Sequence, residues 1–224
     1  MQKFFSLLCT IFACIVSQCH AQRNVKGTWW AHKSDSGGCQ VPQGDYAVTD
    51  AIALGESLAL GNLKWRQGLC GQVLQVNCGK QVVDAVVVST CNLNSADRCG
   101  VDMITKTWNK ATGNQKPGIV GCSVSLTKKN PLKGNGPLCY HRPNSPMDNQ
   151  WYTCIGVFNT GGRISKEAVL AGIKGYRVND GYFNFNGNGL TNKNAQVVFK
   201  YEDGSTSSFK LGDCRNGGKT QIFQ

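Results

Sequence analysis

The chain is short of charge: Asp, Glu, Lys and Arg make up 17% of its 224 residues, below the quarter usual in soluble domains. Acid is scarcer than base, with 13 Asp+Glu against 24 Lys+Arg and a formal net charge of +11. There are three histidines and no Cys-x-x-Cys pair, so a zinc site has little to be built from. No Asn-x-Ser/Thr triplet occurs, which excludes an N-glycan. The Lys and Arg are scattered, with no Arg-rich run, and this argues against nucleic acid as a partner. Low charge does not mean disorder here, because hydrophobic residues reach 41%. Beyond the first twenty or so residues no apolar run is long enough to span a bilayer, which takes about 20 residues.

What the chain has in excess is cysteine, twelve in all, a number that implies disulfides and an oxidising compartment, or metal. The N-terminus decides. Lys3 precedes a short apolar run from Phe4 to Val16, and Cys19-His20-Ala21 supplies a cleavage site, so residues 1–21 are expected to be a signal peptide. Cleavage removes Lys3, leaving 23 basic and 13 acidic residues and a net charge of +10. It also removes Cys9, Cys14 and Cys19 and leaves nine cysteines. Nine is odd, so at most four intramolecular disulfides form and one thiol stays free or pairs between chains.

The mature chain has the periodicity of strands almost throughout. Gln72–Val76 and Gln81–Ser89 are apolar, β-branched runs separated by Asn77-Cys78-Gly79-Lys80, a hairpin-like break. Ile119–Leu126, Trp151–Phe158, Val197–Tyr201 and Phe209–Leu211 read as further strands, the last two joined by Glu202-Asp203-Gly204. One stretch breaks the rule. Ile104, Trp108 and Ala111 share a helical face, Asp102 stands as an N-cap and Gly113 as a terminator. Residues 129–149, rich in Lys, Pro, Gly and Asn, read as a linker. Two all-β domains are expected, 22–128 and 150–224.

Gly27-Thr28-Trp29-Trp30-Ala31, Cys70-Gly71, Gly100-Val101-Asp102-Met103 before the helix and Pro117-Gly118-Ile119-Val120 together resemble the first domain of an expansin. Trp151-Tyr152, Asn159-Thr160-Gly161-Gly162, Gly181-Tyr182-Phe183-Asn184-Phe185 and Tyr201-Glu202-Asp203-Gly204 resemble its second. The resemblance covers nearly the whole mature chain. It implies a six-stranded double-psi β-barrel followed by an immunoglobulin-like β-sandwich that binds cellulose. It also implies a secreted, monomeric cell-wall protein that binds and loosens glucan without hydrolysis, with no cofactor and no membrane insertion.

By the same resemblance Thr28, Trp30 and Asp102 line a groove, with Asp102 in the place of the general acid of the related family-45 glycosidases. Trp151, Tyr152 and Tyr182 match an aromatic strip that stacks on glucan rings. Strand geometry sends neighbours to opposite faces. One of Trp29 and Trp30 is therefore expected to be buried, and Trp151 and Tyr152 can share a face only at a bulge or an irregular strand start. The chain also departs from the pattern. Ser89-Thr90-Cys91-Asn92 lacks the carboxylate that microbial expansins carry upstream of the helix, Asp97 being the nearest. Ala31 stands where the glycosidases place their base, with Asp35 the nearest substitute. Two alternatives stay open: a glycoside hydrolase using Asp102 as acid, and a barwin-like structural or defence protein. The basic charge is read as attraction to anionic wall polymers.

Overall fold

The apolar, β-branched runs fold as strands because their alternate side chains can be buried on one face of a sheet. A computed structural model describes residues 21–31, 37–91, 99–177 and 179–224; all of the expected signal peptide but Ala21 lies outside them. In chain order the strands are β1 (Gln22–Trp30), β2 (Ala51–Leu54), β3 (Val73–Asn77), β4 (Val82–Thr90) and β5 (Val101–Ile104), followed by helix α1 (Thr105–Thr112). After it come β6 (Ile119–Leu126), β7 (Leu138–His141), β8 (Tyr152–Phe158), β9 (Ser165–Leu170) and β10 (Ile173–Lys174). The last are β11 (Tyr176–Arg177), β12 (Phe183–Asn186), β13 (Gln196–Tyr201) and β14 (Thr206–Lys210).

The first six strands close into a barrel in the order β1-β5-β2-β4-β3-β6. The pairs β1–β5 and β2–β4 are parallel. Val25, Val73, Val86, Val101 and Met103 fill the barrel core, each fully buried. The remaining strands form two four-stranded sheets, β10-β9-β13-β14 and β11-β12-β8-β7. Ile155, Phe183 and Phe185 from one sheet meet Ala168, Leu170, Val197 and Phe199 from the other in a second core. The all-β architecture expected from the sequence is therefore the one observed.

Two local expectations change. The helix ends as read, at Gly113 in the left-handed conformation (φ 72°), and Trp108 and Ala111 are buried. Its start lies later. Asp102 does not cap it; Ile104 holds the N-cap position without a side-chain bond. The reason is that β1 and β2 pair with Val101–Ile104 on both sides, so the backbone of this segment is already committed to two ladders. The 129–149 segment is not a bare connection either. Its short apolar run Leu138–His141 is β7, an edge strand of the sandwich, paired with β8.

The two units are joined by close packing. Gly71 has φ +73°, and a Cβ there would lie 2.6 Å from the Phe158 ring; only glycine suits both conditions. The Gln72 amide donates to Thr160 Oγ1 at 3.0 Å, and Asn159 exchanges two 3.0 Å hydrogen bonds with the backbone of Leu132. Beyond Cys214 the chain returns to the barrel side: Gln221 N–H donates to the Val41 carbonyl, and Phe223 packs edge-on against Tyr46.

Disulfides Cys39–Cys70, Cys78–Cys122 and Cys91–Cys99 lie in the first unit and Cys139–Cys214 in the second. The odd cysteine is Cys154, a buried free thiol on β8. Burial is the main reason that this thiol is pushed up to about 12.

Candidate functional site

Strand pairing brings five residues from five barrel strands into one cross-strand row. Ile119 is opposite Thr28, Thr28 opposite Asp102, Asp102 opposite Ala53, and Ala53 opposite Ser89. Residues in register share a face of the sheet. Trp30 is two positions after Thr28, so it lies on the same face; it packs on Ala53 and the Cys91–Cys99 bridge. Trp29 is on the other face, where its indole N–H donates to Thr105 Oγ1 at 3.0 Å. Both indoles are half-buried, so neither is lost to the core outright.

The Thr28 hydroxyl donates to Asp102 Oδ1 at 2.7 Å, a short charge-assisted bond. Burial raises the Asp102 carboxyl above the usual carboxylate range, while the bonds from Thr28 and the Met103 N–H pull it down. The row holds a single carboxylate. Asp50, the nearest in sequence to β2, is occupied elsewhere: it pairs with Lys110 at 2.6 Å and accepts from Thr107. Asp35 and Asp97, the sequence substitutes for a second carboxylate, lie outside the described residues. The row thus sets the hydrogen-bonded Thr28 and Asp102 beside an exposed Ile119 and the half-buried Trp30 indole, while Ser89 is buried and accepts the Gly38 N–H at 3.1 Å. Among the described residues the row does not present the pair of acids, about 5–9.5 Å apart, that glycoside hydrolysis uses.

The sandwich supplies a second surface. Trp151 precedes β8 and is 57% exposed. Asn149 Oδ1 accepts the N–H groups of both Trp151 and Tyr152, at 2.9 and 3.2 Å. This turn is the irregular strand start that lets neighbouring aromatics both reach solvent. Tyr152 is opposite Asn186, and its hydroxyl donates to Asn184 Oδ1 at 2.6 Å. Tyr176 on β11 is opposite Asn184, is 49% exposed, and accepts from the Asn186 amide at 3.0 Å. The outward face of β11–β12–β8 is therefore two tyrosines fixed by two asparagines, with Trp151 beside them.

Tyr182 is not part of this face. It is fully buried, its ring lying against Gly156 and 5.6 Å from that of Phe158. Asp180 explains the difference: it accepts the Tyr182 N–H at 2.9 Å and pairs with Arg142 at 2.9 Å. Gly181 is pressed against Cys70, and the turn directs Tyr182 between sandwich and barrel. Tyr176, which the sequence reading passed over, takes the exposed place. The signal for it was the alternation Phe183-Asn184-Phe185-Asn186, which marks the Asn face as outward and Tyr176 as its cross-strand neighbour. Among the described residues no cluster of His, Cys, Asp and Glu could hold a metal ion, and no helix is long and apolar enough to cross a membrane.

No protein-family model matches the chain, and no curated protein matches it in sequence. Solved structures that match its fold include the Clavibacter michiganensis expansin in its apo form and a point mutant of it in complex with cellohexaose. Each is 16% identical to this chain with a TM-score of 0.60, over 92% of this chain and 96% of the other. The chain has the expansin fold.

Proposed function

We propose that this chain is a secreted cell-wall protein that binds extended glucan and loosens polymer contacts without cleaving bonds. The observation that carries the reading is the aromatic face made by the exposed Trp151 and Tyr176 with the half-buried Tyr152, which packs against the core. Sugar rings have apolar C–H faces and polar edges, so an exposed aromatic row can bind them while their hydroxyls stay in water. An exposed apolar strip on a soluble domain marks a binding site. The cellohexaose held by the Clavibacter structure is a ligand of the same chemical kind. The row on the barrel, with Thr28, Trp30 and Asp102, is a second contact for the same chain. The surplus of basic residues over acidic ones favours approach to anionic wall polymers.

Burial raises the Asp102 carboxyl from its ordinary value, the direction a general acid needs, and this favours the hydrolase as the second reading; the lone carboxylate in the row among the described residues weighs against it. Co-sedimentation with insoluble cellulose, with reducing ends measured in parallel, separates the two. Binding without sugar release supports the proposal. Sugar release that Asp102→Asn abolishes overturns it in favour of hydrolysis.

A further inference from the structure

At the junction of barrel and sandwich lies a cavity of about 290 Å³ that includes neither the Asp102 row nor the aromatic face. Its described lining is Glu56, Trp65, Arg66, Gln67, Thr90 and Asn179. Thr90 ends β4 opposite Leu54, the last residue of β2. These two stand one residue beyond Ser89 and Ala53, the end of the cross-strand row. Asn179 comes from the sandwich, in the segment after β11.

Three observations distinguish this cavity from a packing gap. Its lining combines one half-buried indole with a carboxylate, a guanidinium, two amides and a hydroxyl. A pyranose needs that mixture: an aromatic surface for its C–H face and both donors and acceptors for its hydroxyls. Next, two lining residues carry buried polar atoms without a partner, Thr90 Oγ1 and Arg66 Nε. Buried polar groups in native proteins are paired in the great majority of cases, and an unpaired one calls for an explanation such as a missing ligand or water. Finally, the walls are fixed in place. The Trp65 backbone N–H donates to the Gly55 carbonyl at 2.8 Å, and Arg66 crosses the junction to Glu202 in a 3.0 Å ion pair. A site held in this way loses little entropy on binding.

We infer that the junction cavity is a sugar subsite: one pyranose ring stacks on Trp65 while Thr90 turns its hydroxyl onto the sugar. Glu56 and Asn179 bond the remaining hydroxyls. The inference rests on the polysaccharide-binding reading above and adds to it a subsite at the junction of barrel and sandwich, apart from the face that carries the Asp102 row.

Calorimetric titration with cellohexaose, run beside co-sedimentation with insoluble cellulose, tests it. Thr90→Val keeps the shape and removes only the hydroxyl. It should lower cellohexaose affinity about tenfold, as the loss of one hydrogen bond does, without lowering the melting temperature. Trp65→Ala should weaken binding further, and Trp65→Phe should restore part of it. Wild-type affinity in both Thr90→Val and Trp65→Ala, with Trp151→Ala weakened, would overturn the subsite and leave the general reading standing. Binding of insoluble cellulose but not of cellohexaose by the wild type would likewise overturn the subsite. Failure of the wild type on both ligands would overturn the two together.

Discussion

Removing the Thr28 hydroxyl should change how Asp102 titrates, and the size of the change can be worked out. The bond is 2.7 Å long and part-buried. A hydrogen bond to a charged group is worth about 1.5–3 kcal/mol, and partial exposure to solvent favours the lower end. About 1.5 kcal/mol corresponds to roughly one pKa unit. Thr28→Val should therefore raise the Asp102 pKa, already elevated by burial, by about one unit, as read from the side-chain carboxyl carbon by NMR titration. Stability must change in step. A carboxyl whose folded pKa lies above its unfolded value binds protons more tightly when folded. Its contribution is most favourable at low pH and is lost as pH rises through the folded pKa. Thr28→Val should thus cost about 1.5 kcal/mol near neutral pH and almost nothing in acid where Asp102 is protonated. An unchanged or lowered Asp102 pKa, or a cost independent of pH, would refute the coupling.

Tyr182→Phe should stabilise the fold by about 1 kcal/mol in urea denaturation, since it removes a buried hydroxyl that has no partner. Tyr182→Ala should cost about 3–5 kcal/mol by opening a cavity. A loss of cellulose binding in Tyr182→Phe, with stability unchanged, would return this residue to the binding face. For Cys154, alkylation followed by intact mass should find no reactive thiol in the native secreted protein and one after denaturation without reductant. Four thiols would indicate that residues 1–21 were retained, and labelling in the native state would contradict the burial of Cys154.

The barrel was legible where its sequence is β-branched, as in Gln81–Ser89, because strands buried on both faces carry continuous apolar runs. The start of α1 was not. Asp102 has the chemistry of an N-cap, and only the two strands that flank Val101–Ile104 show that it belongs to a sheet. β7 was hidden because four apolar and aromatic residues are outweighed by the Pro, Gly and Asn around them. Among the site residues, Thr28 and Asp102 were placed together by their register, which a resemblance in linear order conveys. Tyr176 and Tyr182 both sit beside glycine, and composition does not separate them. What separates them is the Asp180–Arg142 pair, whose members lie 38 positions apart in sequence, a tertiary contact that no local pattern announces. The odd thiol could be counted from the sequence, but its identity as Cys154 required the four bridges to be located.

Polysaccharide binding through the aromatic face is tested most directly by a binding isotherm on insoluble cellulose for the double variant Trp151→Ala/Tyr176→Ala. Each aromatic contact is worth about 0.5–1.5 kcal/mol, so together they should weaken binding about tenfold. Because both side chains are exposed, the melting temperature should stay within a degree or so of wild type. Wild-type affinity in the double variant would contradict the claim, as would a fall in stability large enough to account for any loss of binding.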